Sequence, residues 1–279
     1  MRTVLSAIEG MPGTELLPAP LATREQVHLA HEPDYWDTLV SLEPELDRVT
    51  LDEDTFLSPG SINAALRGSG AACFAVDQVF AGKAKNAFCA TRPPGHHAEA
   101  AVAMGFCLLN HVAIAANYAL ATQDIKRVAI LDFDVHHGNG TQAIFEQKPE
   151  VLYISSHQSP LYPGTGHAHE TGCGNILNLP LPPRSGSAQF RQAWTGRGLP
   201  ALRQFTPDLV ILSAGFDAHV ADPLAQLELN DEDYFWMTQE ICTLAGEICD
   251  GRVISVLEGG YDLGGLAGAA TAHIRALTS

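Results

Sequence analysis

The sequence predicts an α/β fold, a mainly parallel sheet with helices on both faces in three layers, and three observations carry the prediction. From about residue 84 onward, short and almost wholly apolar runs alternate with amphipathic stretches, the pattern of strands buried on both faces and joined by helical crossovers. Polar residues crowd the carboxyl ends of those runs, which is where open α/β sheets bind ligands. No Ser/Gly-rich, Pro-rich or single-charge stretch divides the 279 residues and no repeat is present, so one domain spanning residues 1–279 is expected.

Taken in order, the first 60 residues are the least legible. Helical segments are expected from Thr23 to Leu42, despite Pro33, and from Ser61 to Phe80, where Pro59-Gly60-Ser61 makes a helix entry. Strands are expected at Ala84 to Ala90, Arg127 to Leu131, Val151 to Ser155, Asn175 to Leu179, Asp208 to Ser213 and Arg252 to Leu257. Helices are expected between and after them at Leu109 to Thr122, Thr141 to Gln147, Ser187 to Phe205, Asp231 to Cys249 and Leu263 to Leu277.

Composition narrows the function classes. An apolar content of 46% is enough for a sizeable core, while no run approaches the roughly 20 apolar residues of a membrane span. The apolar stretch within Met1 to Glu9 is too short for a signal peptide, so a soluble, cytoplasmic protein is expected. Six cysteines without a CxxC pair read as reduced thiols. The net charge of −16 argues against wrapping nucleic acid, whose phosphates it would repel, and favours cationic substrates.

Residues 132–140, Asp-Phe-Asp-Val-His-His-Gly-Asn-Gly, are the most informative segment. Alternation along an extended chain would set Asp132, Asp134 and His136 on one face and Phe133 and Val135 on the other, with a helix starting near Thr141. Asp134 and His136 supply oxygen and imidazole donors suited to zinc, and a catalytic zinc needs a third protein ligand. Asp222, in the loop Gly215 to Pro223, is the candidate; by themselves Asp217 and Asp222 equally suit turn or helix capping. Two carboxylates would balance a divalent charge and still leave bound water acidic.

His96 and His97 follow Arg92-Pro93-Pro94-Gly95, a loop that frees both imidazoles to face one pocket, as a general acid/base pair requires. Asp132 and Asn139 are candidate partners that orient them. Tyr261, after Glu258-Gly259-Gly260, can donate a hydrogen bond to a developing oxyanion. Gly105-Phe106-Cys107 and Leu161 to Gly166 bring Phe106 and Tyr162 to the same rim as walls of a narrow channel. His157, His167, His169 and His219 are expected to be structural or surface residues.

These motifs, in this order across residues 90 to 262, resemble the zinc-dependent histone deacetylase and acetylpolyamine amidohydrolase superfamily. The resemblance implies an arginase/deacetylase-like fold and hydrolysis of the amide of an acetylated amine to the free amine and acetate. Carried over by position, it implies zinc ligation by Asp134, His136 and Asp222, and a general base and acid at His97 backed by Asn139. It further implies an electrostatic role for His96 paired with Asp132, carbonyl polarisation by Tyr261, and channel walls at Gly105, Phe106 and Tyr162. A structural potassium ion is implied on the Asp132 side chain, the main-chain oxygens of Asp134, His136 and Ser156, and the Ser155 hydroxyl. Asn139, where class I members carry Asp, and Glu258-Gly-Gly-Tyr make the chain similar to class II.

Family members usually open with a strand and a His-Pro-Glu type loop ahead of the segment that Arg2 to Ile8 resembles; with neither present, one sheet edge and part of the pocket rim are expected to be missing or replaced. Leu229, seven residues past Asp222, is expected at the rim, where its apolar side chain favours acetyl-lysine-like substrates or small acetylamides over acetylpolyamines. Two rival readings remain at this point. A dimanganese ureohydrolase needs more carboxylates than the chain offers for a second metal, and a non-catalytic zinc-binding relative is suggested by the short N-terminus.

Overall fold

The computed structural model describes residues 2–279. The chain opens with helices α1 (Arg2–Ile8), α2 (Arg24–Val27) and α3 (Pro33–Leu42), then an antiparallel pair, β1 (Val49–Thr50) and β2 (Phe56–Leu57). After α4 (Ser61–Phe80) come β3 (Asn86–Cys89), α5 (His111–Thr122), β4 (Val128–Asp132), α6 (Asn139–Phe145), β5 (Val151–Gln158) and β6 (Ile176–Leu181). The remainder is α7 (Ser187–Ala193), α8 (Leu199–Phe205), β7 (Leu209–Ala214), α9 (Asp231–Ile248), β8 (Val253–Leu257) and α10 (Leu263–Leu277).

Six strands, all parallel, lie in the order β3-β8-β7-β4-β5-β6, the α/β class predicted from the sequence. The chain runs outward from β4 through β5 to β6, then returns to β7 on the other side of β4. The order therefore reverses between β4 and β7, and the carboxyl ends of these two strands are where sheets of this kind bind ligands. Alternation along β4 sends Ala129 and Leu131 to the face covered by α9 and α10, and Val128 and Ile130 to the face covered by α4 and α5, all fully buried. At roughly 2 kcal/mol for each large side chain so buried, the strand interiors carry the stability and let the strand ends hold costly polar groups. No helix among the described residues is long and apolar enough to cross a membrane.

Some elements differ from expectation, each for a local reason. The segment 23–42 is two helices: α2 starts in a capping box between Thr23 and Gln26, and Pro33 opens α3 as its first residue, where its missing N–H costs nothing. The segment 187–205 is interrupted by a π-turn over Trp194–Gly198, with Leu199 N bonded to Trp194 O; Pro200, lacking an N–H, sits just beyond it. β5 runs three residues past Ser155, because β6 pairs with it as far as Gln158. β3 forms one sheet edge, and α1 packs against α10.

Candidate active site

The site grows out of the registers around β4. Asp132, its last residue, pairs with Ser155 of β5 and Ser213 of β7. Beyond it the chain leaves the strand in two side-chain-directed turns: Asp132 Oδ1 accepts from Asp134 N at 3.1 Å and Asp134 Oδ1 from His136 N at 2.9 Å. Phe133 and Val135 stay in the core, so the predicted division of the two faces survives although the strand itself has ended. Asp217, four residues past Ser213, accepts from Val135 N with Oδ1 at 2.9 Å, which fastens the ends of β4 and β7 together.

This places Asp134, His136 and Asp217 in one cluster, with a ligand atom from each within 4.8 Å of the others. His136 Nδ1 lies 3.2 Å from Asp134 Oδ1 and 3.1 Å from Asp217 Oδ2. Ligands held about 2.0 Å from a tetrahedral ion stand about 3.3 Å apart, so this spacing, with one imidazole and two carboxylates, fits a divalent metal with a coordination position left open. Burial alone would lower the His136 pKa, but the hydrogen bonds and charges of Asp134 and Asp217 outweigh it and raise it to about 10. Burial and the neighbouring Asp134 raise Asp217 to about 6.

Asp222, expected as the third ligand, lies outside the cluster. Nine residues past Ser213, it has left the strand end: its Oδ2 accepts from Tyr261 N at 2.7 Å and Asp262 N at 3.2 Å, and its Oδ1 from Leu224 N at 3.0 Å. It holds the backbone of Tyr261 instead. The register explains the difference: Asp134, His136 and Asp217 stand two, four and four residues past the Asp132–Ser213 pair, a neighbourhood that only the fold reveals.

His96 and His97 come together with ring centroids 4.1 Å apart. His96 Nδ1 is 3.0 Å from Asp132 Oδ2 and its Nε2 is 3.8 Å from Asp134 Oδ1, while His97 Nδ1 is 2.8 Å from Asn139 Oδ1. Their titration is pushed in opposite directions. For His96 burial is outweighed by the charges of Asp132 and Asp134, which raise its pKa well above the usual value; for His97 burial and the nearby His96 lower it well below. The two environments thus push the neighbouring imidazoles apart, His96 towards its protonated form and His97 towards its neutral form, the kind of separation that assigns acid/base roles.

The loop carrying both histidines is seated on Glu258, whose Oε2 accepts from Gly95 N at 2.6 Å and His96 N at 3.1 Å and whose Oε1 accepts from Ser213 Oγ at 3.0 Å. Burial and the charge of Asp132 raise the Glu258 pKa to about 7, against the opposing influence of His96. Glu258→Gln can satisfy the same three partners, whereas Glu258→Leu leaves two buried N–H groups unpaired at about 1–3 kcal/mol each. Denaturant unfolding is expected to place the Gln variant within about 1 kcal/mol of the parent and the Leu variant roughly 2–6 kcal/mol below it. Equal losses would show that the negative charge, not the acceptor pattern, seats the loop.

The mouth is aromatic. Phe106, Tyr162 and Tyr261 are 39%, 40% and 37% exposed, with Phe106 and Tyr261 edge to face at 6.0 Å and Tyr162 edge-on to His97 at 5.3 Å. Gly105 and Phe106 both adopt positive φ, 56° and 66°, and a Cβ at Gly105 would stand 2.4 Å from His97 Cδ2. Only glycine lets this loop close over the imidazole. Leu229 is not at this rim: it is fully buried in the core below, its N–H and C=O bonded to Ala218 and Val220. The preference drawn from it against polyamines falls with it.

Among the unassigned histidines, buried His157 bonds Ser155 Oγ and Gly166 O, tying down the loop that bears Tyr162. His137, beside it, bonds Thr165 Oγ1 and Gln142 Oε1 to the same end. His219 Nδ1 accepts from Ala221 N, and His167 and His169 stack on the surface.

A histone deacetylase domain model matches residues 1–277. The chain belongs to the histone deacetylase domain family. It is 47% identical over 246 residues to Type-2 histone deacetylase 2 of Dictyostelium discoideum, covering 80% of this chain and 14% of that protein. It is 40% identical over 252 residues to the histone deacetylase-like amidohydrolase of Pseudomonas aeruginosa, covering 88% and 66%. It thus spans less than two thirds of either relative. The crystal structure of the HDA15 HD domain superposes with a TM-score of 0.93 at 38% identity, over 99% of this chain and 82% of that one.

Proposed function

We propose that this histone deacetylase family chain hydrolyses the amide of an acetylated amine with one zinc ion held by Asp134, His136 and Asp217. The observation that carries the proposal is the cluster itself, set beside the His96–His97 pair and beneath an aromatic mouth. A bound zinc ion would act as a Lewis acid towards the acetyl carbonyl and lower the pKa of water. His97, neutral and backed by Asn139, takes a proton from the attacking water. Tyr261 donates its hydroxyl hydrogen to the tetrahedral oxyanion; burial and the charges of Asp217 and Asp134 hold its pKa far above neutrality, so the proton stays available. His97 then returns its proton to the amine nitrogen as the C–N bond breaks, leaving acetate and the free amine. His96 stays paired with Asp132 and close to Asp134, whose charges favour its protonated form. A potassium ion on Asp132, Asp134, His136, Ser155 and Ser156 belongs to the same proposal, supported by the side-by-side register of Asp132 and Ser155.

For the substrate, an acetyl-lysine-like side chain, apolar along its stem, suits the aromatic mouth formed by Phe106, Tyr162 and Tyr261. One observation favours an acetylpolyamine as second reading: Phe106 N donates to Thr55 Oγ1 at 3.0 Å and Thr55 Oγ1 donates to Asp54 Oδ1 at 2.9 Å, so an acidic side chain stands beside the mouth. Metal-quantified protein is expected to release acetate from a fluorogenic acetyl-lysine peptide, to lose that activity with a chelator and to regain it with zinc. Faster turnover of acetylputrescine would select the second reading. Two manganese ions per chain with urea release would replace both by a ureohydrolase.

A further inference from the structure

Glu99 has no part in the chemistry above, yet its carboxylate stands directly behind the His97 pair. Asn139 lies between them: its Oδ1 is 2.8 Å from His97 Nδ1 and its Nδ2 is 2.9 Å from Glu99 Oε1. A side-chain amide presents an acceptor on one side and donors on the other, and its partners decide which way it faces. Glu99 Oε1 is the acceptor for Nδ2. The other neighbours of that nitrogen, the His97 carbonyl at 3.4 Å and the Met104 sulfur at 3.2 Å, are acceptors as well. A flipped amide would set its oxygen against all three. With Oδ1 fixed towards His97, the imidazole must carry its proton on Nδ1 and keep the lone pair on Nε2.

We propose that Glu99 is a positioning residue which, through Asn139, fixes the tautomer of His97 and so keeps Nε2 available as the base; this rests on the reading of His97 as the proton-transfer group. Glu99 is two residues past His97, in a turn closed by Glu99 N to Val102 O at 2.9 Å, so one short loop carries both the base and its anchor. The arrangement also accounts for an amide at 139. An aspartate there would face Glu99 as a second acceptor, and the clash would be relieved by a donor at position 99.

The test uses zinc-loaded protein, with kcat and KM on the acetyl-lysine peptide and nitrogen NMR of the histidines for the tautomer. Glu99→Ala is expected to lower kcat about tenfold with KM unchanged and to move His97 away from a pure Nδ1–H signature, while Glu99→Gln, which still offers an acceptor, keeps most of the rate. Asn139→Asp is expected to lose about 100-fold, and adding Glu99→Lys to recover at least about tenfold of that. A Glu99→Ala variant with parental kcat and an unchanged His97 signal, or a double variant no faster than Asn139→Asp, would overturn the proposal. A parent protein inactive on every acetylated probe would instead sink the deacetylase reading, and the NMR comparison would still decide the role of Glu99.

Discussion

Asp217→Asn is expected to cost the protein its metal and its hydrolytic activity together. The amide removes one of the two negative charges that balance a divalent ion, and one of the two carboxylates on which His136 Nδ1 rests. Substitutions of outer-shell partners already cost about 10–100-fold in metal affinity, so loss of a direct ligand should cost at least about 100-fold. Asp222→Asn is expected to behave differently. Its carboxylate touches the backbone of Tyr261 and Asp262 rather than His136, so the ion is retained and turnover falls about tenfold through a displaced Tyr261. Metal content after dialysis, measured beside turnover, separates the two. If Asp222→Asn lost the ion while Asp217→Asn kept it, the assignment expected from sequence would be restored and the cluster would have another purpose.

The contrast between these two aspartates shows what the sequence could and could not convey. Strand interiors were legible because a strand buried on both faces must be apolar throughout, and β4, β7 and β8 fall within a residue or two of expectation. The His96-His97 loop and the Asp132 to Gly140 segment were legible because their polar residues have no business at an apolar strand end except a site. Spatial register was not: choosing Asp217 over Asp222 requires knowing that Asp132 and Ser213 are neighbours, and β4 and β7 lie far apart in the chain. Leu229 was misplaced for the same reason, since an apolar residue after a polar loop fits rim and core equally until the backbone bridge to His219 is seen. Glu99 is not singled out in the sequence, and Glu258 enters only as part of the Glu258-Gly-Gly-Tyr motif without a role, because each acts through partners, Asn139 or Gly95 and His96, that only the fold brings to it.

Tyr261→Phe should then isolate one hydroxyl. Phenylalanine keeps the ring and hence the edge-to-face contact with Phe106 at 6.0 Å, and leaves the bond from residue 261 N to Asp222 in place. Only the donor to the developing oxyanion is lost. Removing one such donor typically costs about 10²–10³-fold in kcat, so turnover is expected to drop by that factor with the ion retained and KM little changed. Parental turnover would mean that the carbonyl is polarised without Tyr261. The same variant tests the assignment of Asp222. If that carboxylate serves turnover by holding Tyr261, Asp222→Asn should cost about tenfold in the parent and far less once the hydroxyl is gone, a coupling that a double-mutant cycle measures directly. Equal costs in both backgrounds would place the effect of Asp222 elsewhere, in its bond to Leu224 and the loop that it closes.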